Sequence, residues 1–136
     1  MRADLSRVQR QYIEEILFSI DDLRVKLEQL ELDIIHGRPH QDVAPGGDYI
    51  SDPTARAAIA VSASRAVARA RFEVEAVDRA LRKLPEEYTE LFKYKYQEKS
   101  RDWDYIADMV GFTKRHCYRM RDQILEQVGR ELALIE

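Results

Sequence analysis

The stretch from residue 102 to residue 121 places the strongest constraint on the fold of this chain. Its apolar residues Ile106, Ala107 and Val110 mark one face of a short helix, and Gly111 then interrupts the helical period. The period resumes beyond the glycine with a second apolar series, which is Cys117, Met120, Ile124 and Val128. Two short amphipathic helices joined at a glycine predict a helix-turn-helix.

The corner between the two predicted helices has a suitable residue at each position. Ala107 has a small side chain that lets the two helix backbones cross closely. Gly111 falls just past the first helix, where a left-handed backbone costs glycine almost nothing and most other residues about 1 kcal/mol or more. We expect Phe112 to fill the corner and Thr113 to cap the second helix by accepting a hydrogen bond from a backbone N–H group.

The inward positions of the second helix fix its outward face, which is basic. Four Lys or Arg residues and no acid lie between residues 113 and 121. In a helix-turn-helix, the second helix lies in the major groove of DNA and its N-terminal part reaches the base edges. We therefore expect helix 114–128 to read DNA, with Arg115 and Arg119 on guanine. The expected DNA-binding residues are Thr113, Lys114, Arg115, His116, Tyr118, Arg119 and Arg121. The competing interpretation is a small helical hairpin with solvated charges.

Glycine and proline are scarce, with five and four residues, and they cluster at a few places. Long segments without a helix breaker remain, so the predicted fold is all-α, a long N-terminal helical hairpin or coiled coil followed by a helix-turn-helix domain. The domain covers 84–136. Residues 1–83 form an oligomerisation part, two long helices joined by a Pro- and Gly-rich loop at 36–52. The second of these helices is expected to run from Pro53 to about Lys83.

The first long helix is predicted to run unbroken from Leu5 to about Ile35. Seven Ile or Leu residues recur in it at alternating steps of three and four, namely Ile13, Ile16, Ile20, Leu23, Leu27, Leu30 and Ile34. This is the heptad seam of a coiled coil, but the same seam can pack on another helix of the same chain. Seven large aliphatic side chains exceed what one alanine-rich helix covers. The chain is therefore expected to form a homo-oligomer.

Charge is segregated along the chain, although the net charge is only −3. Residues 1–52 contain six basic and eleven acidic side chains, whereas residues 53–83 contain seven basic and three acidic ones. The basic surplus of the second helix can pair with the acidic first helix, contact the DNA backbone or remain solvated. A net negative chain is not expected to coat nucleic acid without sequence preference.

Several classes of protein are disfavoured by what the sequence lacks. There is no apolar run of about 18 residues and no apolar core after the N-terminal Met-Arg-Ala-Asp, so a cytoplasmic protein without a membrane span is expected. His36 and His40 are separated by Gly37 and Pro39, which argues against a metal site. The single Cys117 is expected to be a buried small residue. No phosphate-binding loop or nucleophile–base pair is present, so neither an enzyme nor a cofactor is expected.

A resemblance adds to this interpretation. The matching residues are Leu84-Pro85-Glu86-Glu87-Tyr88, Leu91, Tyr96, Trp103, Ile106-Ala107, Val110-Gly111, Thr113 and Tyr118-Arg119. Over about fifty residues they resemble region four of bacterial sigma factors, the domain that reads the upstream promoter element. The whole layout, including Ser51-Asp52-Pro53-Thr54 before the second long helix, resembles phage transcriptional regulators of the RinA and ArpU type. The resemblance implies a phage or prophage late-gene activator in the bacterial host cell, with double-stranded DNA as its partner and host RNA polymerase as a further candidate partner.

Two other functions belong to the same setting. A phage small terminase subunit also joins a helix-turn-helix to helical oligomerisation segments, and it would recognise packaging-site DNA. A complete sigma-like factor would need a second domain that opens the promoter, and residues 1–83 contain no aromatic and basic segment suited to that role. A DNA-binding transcriptional regulator is the function that the sequence favours.

Overall fold

A computed structural model describes residues 4–35 and 53–136 of the chain. These ranges contain helices and no strand, so the all-α prediction is confirmed at that level. The α-helices are α1 (Arg7–Phe18), α2 (Ile20–Ile35), α3 (Pro53–Lys83), α4 (Glu86–Phe92), α5 (Trp103–Val110) and α6 (Lys114–Glu131), and a short π-helix spans Lys93–Gln97. The predicted loop at 36–52, with His36 and His40, lies outside the described residues.

The prediction of one helix from Leu5 to Ile35 was wrong, because the helix is interrupted at Ser19. α1 begins in a capping box, in which Ser6 and Gln9 each accept a hydrogen bond from the other's backbone N–H group. At its end, the Ser19 hydroxyl donates to the carbonyl oxygen of Glu15 at 2.7 Å. A serine side chain that bonds the preceding turn offers the backbone an alternative to the regular helix.

Two compact units divide the chain. The first contains residues up to Asp21 together with Glu73–Glu136, and the second contains Asp22–Phe72. The boundaries therefore fall within α2 and α3. The predicted division at residue 83 stays a prediction about which segments fold by themselves.

The first unit has a core built around α6. The helix packs against α1, α4 and α5, and its apolar side chains are fully buried. From α1 and the start of α2, Ile13, Ile16 and Ile20 enter the same core with at most 5% exposure. The first part of the predicted coiled-coil seam is thus used within the chain.

The C-terminal end of α6 is tied to the end of α3 by ion pairs. Glu131 accepts hydrogen bonds from Arg79 at 2.9 Å and from Lys83 at 2.5 Å. These two bonds hold the pKa of Glu131 below its ordinary value, with the bond from Lys83 as the largest cause. Part of the basic surplus of α3 therefore pairs with α6, a partner that the sequence did not indicate.

Among the described residues, the second unit consists of the larger part of α2 and the first part of α3. Its buried residues are Leu30, Asp33, Val67 and Ala70. An ion pair at 2.6 Å joins Arg71 of α3 to Glu31 of α2, which is one of the three roles left open for the basic surplus of α3. By contrast, Ile34, the last residue of the predicted seam, is 49% exposed.

Candidate nucleic-acid interface

The turn between α5 and α6 consists of Gly111, Phe112 and Thr113. Gly111 has φ +82° and ψ 24°, the left-handed conformation predicted for it, and its N–H donates to the carbonyl oxygen of Ala107 at 2.9 Å. Thr113 caps α6, since its hydroxyl accepts a hydrogen bond from the backbone N–H of His116 at 3.1 Å. Both predicted local roles are confirmed, and they fix the direction in which α6 leaves the turn.

The inward face of α6 is also as predicted. Cys117, Met120, Ile124 and Val128 have no exposed surface. Facing them from α5, Ile106 is fully buried, and Ala107 and Val110 are each 9% exposed. Burial raises the pKa of the Cys117 thiol, which therefore stays neutral and acts as a small apolar group. With this face fixed, the first turns of α6 present their remaining residues to solvent.

Arg115 and Arg119 are the two predicted base-reading residues, and both are exposed on successive turns of α6. Neither forms a hydrogen bond or an ion pair with any residue of the described ranges. Two guanidinium groups four residues apart lie on the same side of a helix. Each has a planar fork of N–H donors that can pair with the O6 and N7 atoms of guanine or with a phosphate.

Lys114 and His116 lie at the start of α6 and are exposed. The ammonium group of Lys114 is 3.2 Å from a carboxylate oxygen of Asp104 in α5. Its hydrogen bond to Asp104 raises the pKa of Lys114, so the lysine stays charged. The ring of His116 lies 4.7 Å from that of Phe112, centroid to centroid. Both side chains therefore remain close to the turn.

Tyr118 and Arg121 form a cluster with Trp103, the first residue of α5. The rings of Trp103 and Tyr118 meet edge to face at 4.9 Å. The Arg121 guanidinium lies 5.6 Å from the centroid of the Trp103 ring and 5.5 Å from that of Tyr118, within the range of a cation–π contact. Arg121 also pairs with Asp122 at 3.1 Å, and its side chain is only 27% exposed. Arg121 is thus held in a cluster that Arg115 and Arg119 do not join, and its role as a DNA-binding residue stays a prediction.

Asp122 receives a second cation from a distant part of the chain. Arg10 of α1 donates to its carboxylate at 2.6 Å. The helical period by itself places Asp122 on the outward face of α6 and indicates no partner. No local signal could have found this pair, because Arg10 and Asp122 are 112 residues apart in the sequence.

Further cations, which the sequence did not indicate, lie beside Trp103. The Lys95 ammonium of the π-helix is 4.9 Å from the centroid of the Trp103 ring. Burial lowers the pKa of Lys95, Glu14 opposes this effect, and the positive charges of Arg121 and Arg101 lower it further. Lys95 therefore lies near the positive charges of Arg121 and Arg101 and the negative charge of Glu14, next to the candidate site. The dense aromatic and basic composition of residues 93–103 was the available signal, but aromatic residues in such a segment are more typical of a core.

No helix within the described ranges combines the length and the apolar character that a membrane span requires. The described residues also hold no group of three or more His, Cys, Asp or Glu side chains arranged for a metal ion. No protein-family model, no curated protein and no solved structure matches the chain. A proposal for its function therefore rests on the residues of α5, the turn and α6 themselves.

Proposed function

We propose that the protein is a sequence-specific DNA-binding transcriptional regulator that places the first turns of α6 in the major groove. The observation that carries the proposal is the pair of exposed arginines, Arg115 and Arg119, which have no partner in the described ranges on a helix whose opposite face is fully buried. A guanidinium left free on a rigid helix is available to a ligand without first breaking an internal ion pair. DNA bases and phosphates are the ligands that such a fork fits best.

The turn supports the same proposal because it fixes α6 relative to α5. The left-handed Gly111 and the Thr113 cap together leave α6 with a defined starting point. An interface that discriminates between bases needs such rigid support, since a small displacement loses the paired hydrogen bonds. α5 and α6 then act as the two helices of a helix-turn-helix resembling that of sigma region four.

The finer assignment is a late-gene activator of a phage or prophage. It rests on the resemblance of residues 84–136 to region four of sigma factors, and it includes host RNA polymerase as a candidate partner. The cations of Lys95 and Arg121, which lie against the Trp103 ring, suit contacts with the phosphates that flank the bases read by α6.

The test is a selection of binding sites from random duplex DNA, followed by affinity measurements on the selected site and on random duplex. Arg115→Ala and Arg119→Ala should each cost about 1–3 kcal/mol on the selected site and much less on random DNA. Arg7→Ala, at an exposed arginine of α1 outside the site, is the matched control and should change neither affinity. Equal losses on both DNAs for Arg115→Ala would show that α6 does not read bases.

Arg121→Ala distinguishes a phosphate contact from a structural role. Because Arg121 is stacked on Trp103 and paired with Asp122, this variant should lower the free energy of unfolding by about 1 kcal/mol, whereas Arg115→Ala should leave it within about 0.5 kcal/mol. If Arg121 also contacts phosphate, the variant weakens binding to all sequences alike and lowers the salt dependence.

The selected sequence separates the regulator from the small terminase alternative. A site that maps to a promoter in the genome that encodes the protein supports the regulator, and reporter transcription should then depend on Arg115. A site that maps only to a packaging region would reject the regulatory function while leaving DNA reading by α6 intact.

A further inference from the structure

The second unit has an exposed apolar stripe on each of its two helices. On α2, Val25 is 67%, Leu32 41% and Ile35 73% exposed. On α3, Val61 is 51% and Phe72 44% exposed, and the exposed Ala68 lies between them. Among the described residues, apolar stripes of this kind on two helices are typical of an interaction surface.

Each stripe lies on the outer side of its helix. In α2, Val25, Glu28, Leu32 and Ile35 follow steps of three, four and three, and they face away from the buried Leu30. In α3, Val61, Arg65, Ala68 and Phe72 follow steps of four, three and four, and they face away from the buried Ala70. The buried residues Val67 and Ala70 lie on the opposite side of α3, so the α3 stripe is outside the buried face of the second unit. A shallow depression between side chains of this one helix, called here the α3 groove, lies on the outer side of α3 and is lined by Ala60, Val61, Ser64, Arg65 and Ala68.

Charge indicates which helix fits this groove. The charged residue of the α3 stripe is Arg65 and that of the α2 stripe is Glu28, whereas Arg71 and Glu31 already pair within the chain. A second α3 in the groove would bring arginines together, and two α2 stripes in contact would bring carboxylates together. An α2 helix in the α3 groove joins opposite charges.

The spacing of the two stripes matches in detail when the helices run antiparallel. Each stripe carries one charged residue, Glu28 in α2 and Arg65 in α3, and both are exposed. When Glu28 is aligned with Arg65, Leu32 lies opposite Val61, because each residue is four positions from the charged one. Val25 then lies opposite Ala68, because each is three positions from the charged residue on its other side. Three layers of an antiparallel helix pair then form around one central ion pair.

We propose that α2 of one copy of this chain docks into the α3 groove of a second copy, with Glu28 paired to Arg65. The two surfaces differ, so the contact is head-to-tail and each copy can make it twice, closing a ring or continuing as a chain. Three layers bury less surface than a standard stable interface, so the association is weak for a single contact. This contact takes the place of the predicted seam from Ile13 to Ile34 as the oligomerisation surface. It does not depend on DNA binding.

Sedimentation equilibrium of the full chain, at concentrations up to several hundred micromolar, tests the proposal. The wild type should show a mass that rises above the 15.9 kDa of one copy as concentration increases. Glu28→Arg and Arg65→Glu should each weaken the association at least about tenfold, since like charges then face each other in the central layer. Glu90→Arg, at an exposed position of α4, is the matched control and should associate as the wild type does.

Mixing the variants Glu28→Arg and Arg65→Glu shows whether the pair joins two copies. The arginine introduced in the first variant fits the glutamate introduced in the second. In the next contact, the Glu28 that the second variant keeps pairs with the Arg65 that the first variant keeps. A mixture of the two variants should therefore associate again. The double variant Glu28→Arg, Arg65→Glu should also associate.

Two results would overturn the proposal directly, namely a wild type that stays monomeric throughout and single variants that associate like the wild type. Association restored in the double variant but not in the mixture would place the ion pair within one chain and would overturn it as well. Circular dichroism at equal concentration verifies that each variant keeps its helix content.

Discussion

Helices α6 and α2 both carry large aliphatic residues at helical spacing, but they differ in what covers those residues. In α6, the apolar positions Cys117, Met120, Ile124 and Val128 are fully buried. In α2, Leu30 is buried while Val25, Leu32 and Ile35 remain exposed on the opposite side. Periodicity therefore identifies an apolar face, whereas the neighbouring elements decide whether that face becomes core or interface.

An isoleucine-to-alanine substitution should lower the free energy of unfolding far more in α6 than in α2. Ile124→Ala removes a side chain with no exposed surface and should lower the free energy of unfolding by about 2–5 kcal/mol. Ile35→Ala removes a side chain that is 73% exposed and should change the free energy of unfolding of the monomer by less than about 0.5 kcal/mol. Urea unfolding at low protein concentration measures both. A loss above about 2 kcal/mol for Ile35→Ala would mean that the α2 stripe is covered in the monomer.

The two helix breaks give the next comparison. Gly111 has φ +82°, with no atom within 4 Å of where a Cβ would be, so Gly111→Val should cost about 1–3 kcal/mol through backbone strain. Ser19 has φ −106°, which any residue adopts, so Ser19→Ala should shift stability by less than about 0.5 kcal/mol. Thermal unfolding of both variants tests this. Gly111→Asn is the control, because asparagine tolerates the left-handed conformation and should cost less than valine.

The ion pairs of Glu131 and Glu31 should make small and unequal contributions to stability. Glu131 is 9% exposed and bonds Lys83 and Arg79, whereas Glu31 is 40% exposed and pairs with Arg71. The pKa of Glu131 is held below its ordinary value of 4.5, so its contribution to stability is present above that pH and lost as pH falls through the lowered pKa. Glu131→Gln should therefore differ most from the wild type near neutral pH and least in acid. Glu31→Gln should change stability by less than about 0.5 kcal/mol near neutral pH.

Unfolding measured from about pH 7 down to about pH 3 separates these expectations. A difference between wild type and Glu131→Gln that stays constant over this range would show that the carboxylate charge does not contribute. A strong loss for Glu31→Gln would instead show that the pair in the second unit is shielded from solvent.

The local features of the candidate site could be predicted because they depend on near neighbours in the sequence. The left-handed Gly111 and the Thr113 cap follow from residue types at the end and the start of a helix. The buried face of α6 follows from its period. The interruption at Ser19 was missed because the apolar period continues across it, from Ile16 to Ile20, while the Ser19 hydroxyl bonds to the carbonyl oxygens of Glu15 and Ile16.

Contacts between distant residues could not be predicted. Arg121 and Asp122 looked like outward charges of α6, and their positions depend on Trp103 from α5 and Arg10 from α1. Likewise, no pattern in the sequence indicated that the seam from Ile13 to Ile34 would be divided between the two units. Its first residues are buried in the core of the first unit, whereas its last residue is exposed in the second unit. Such contacts are set by how whole helices pack, which couples residues more than a hundred positions apart.

Helical period, capping and backbone preference act over a few residues. For that reason the sequence was sufficient to predict the all-α class, the turn at Gly111, the inward face of α6 and the exposed basic residues Arg115 and Arg119. The tertiary structure alone decided that α1 joins the core of α6, that Arg121 is held by Trp103 and Asp122, and that Val25, Leu32 and Ile35 stay exposed. An apolar or charged side chain carries no information about its partner until packing brings one within a few ångströms, and hydrophobic attraction has no directional preference of its own.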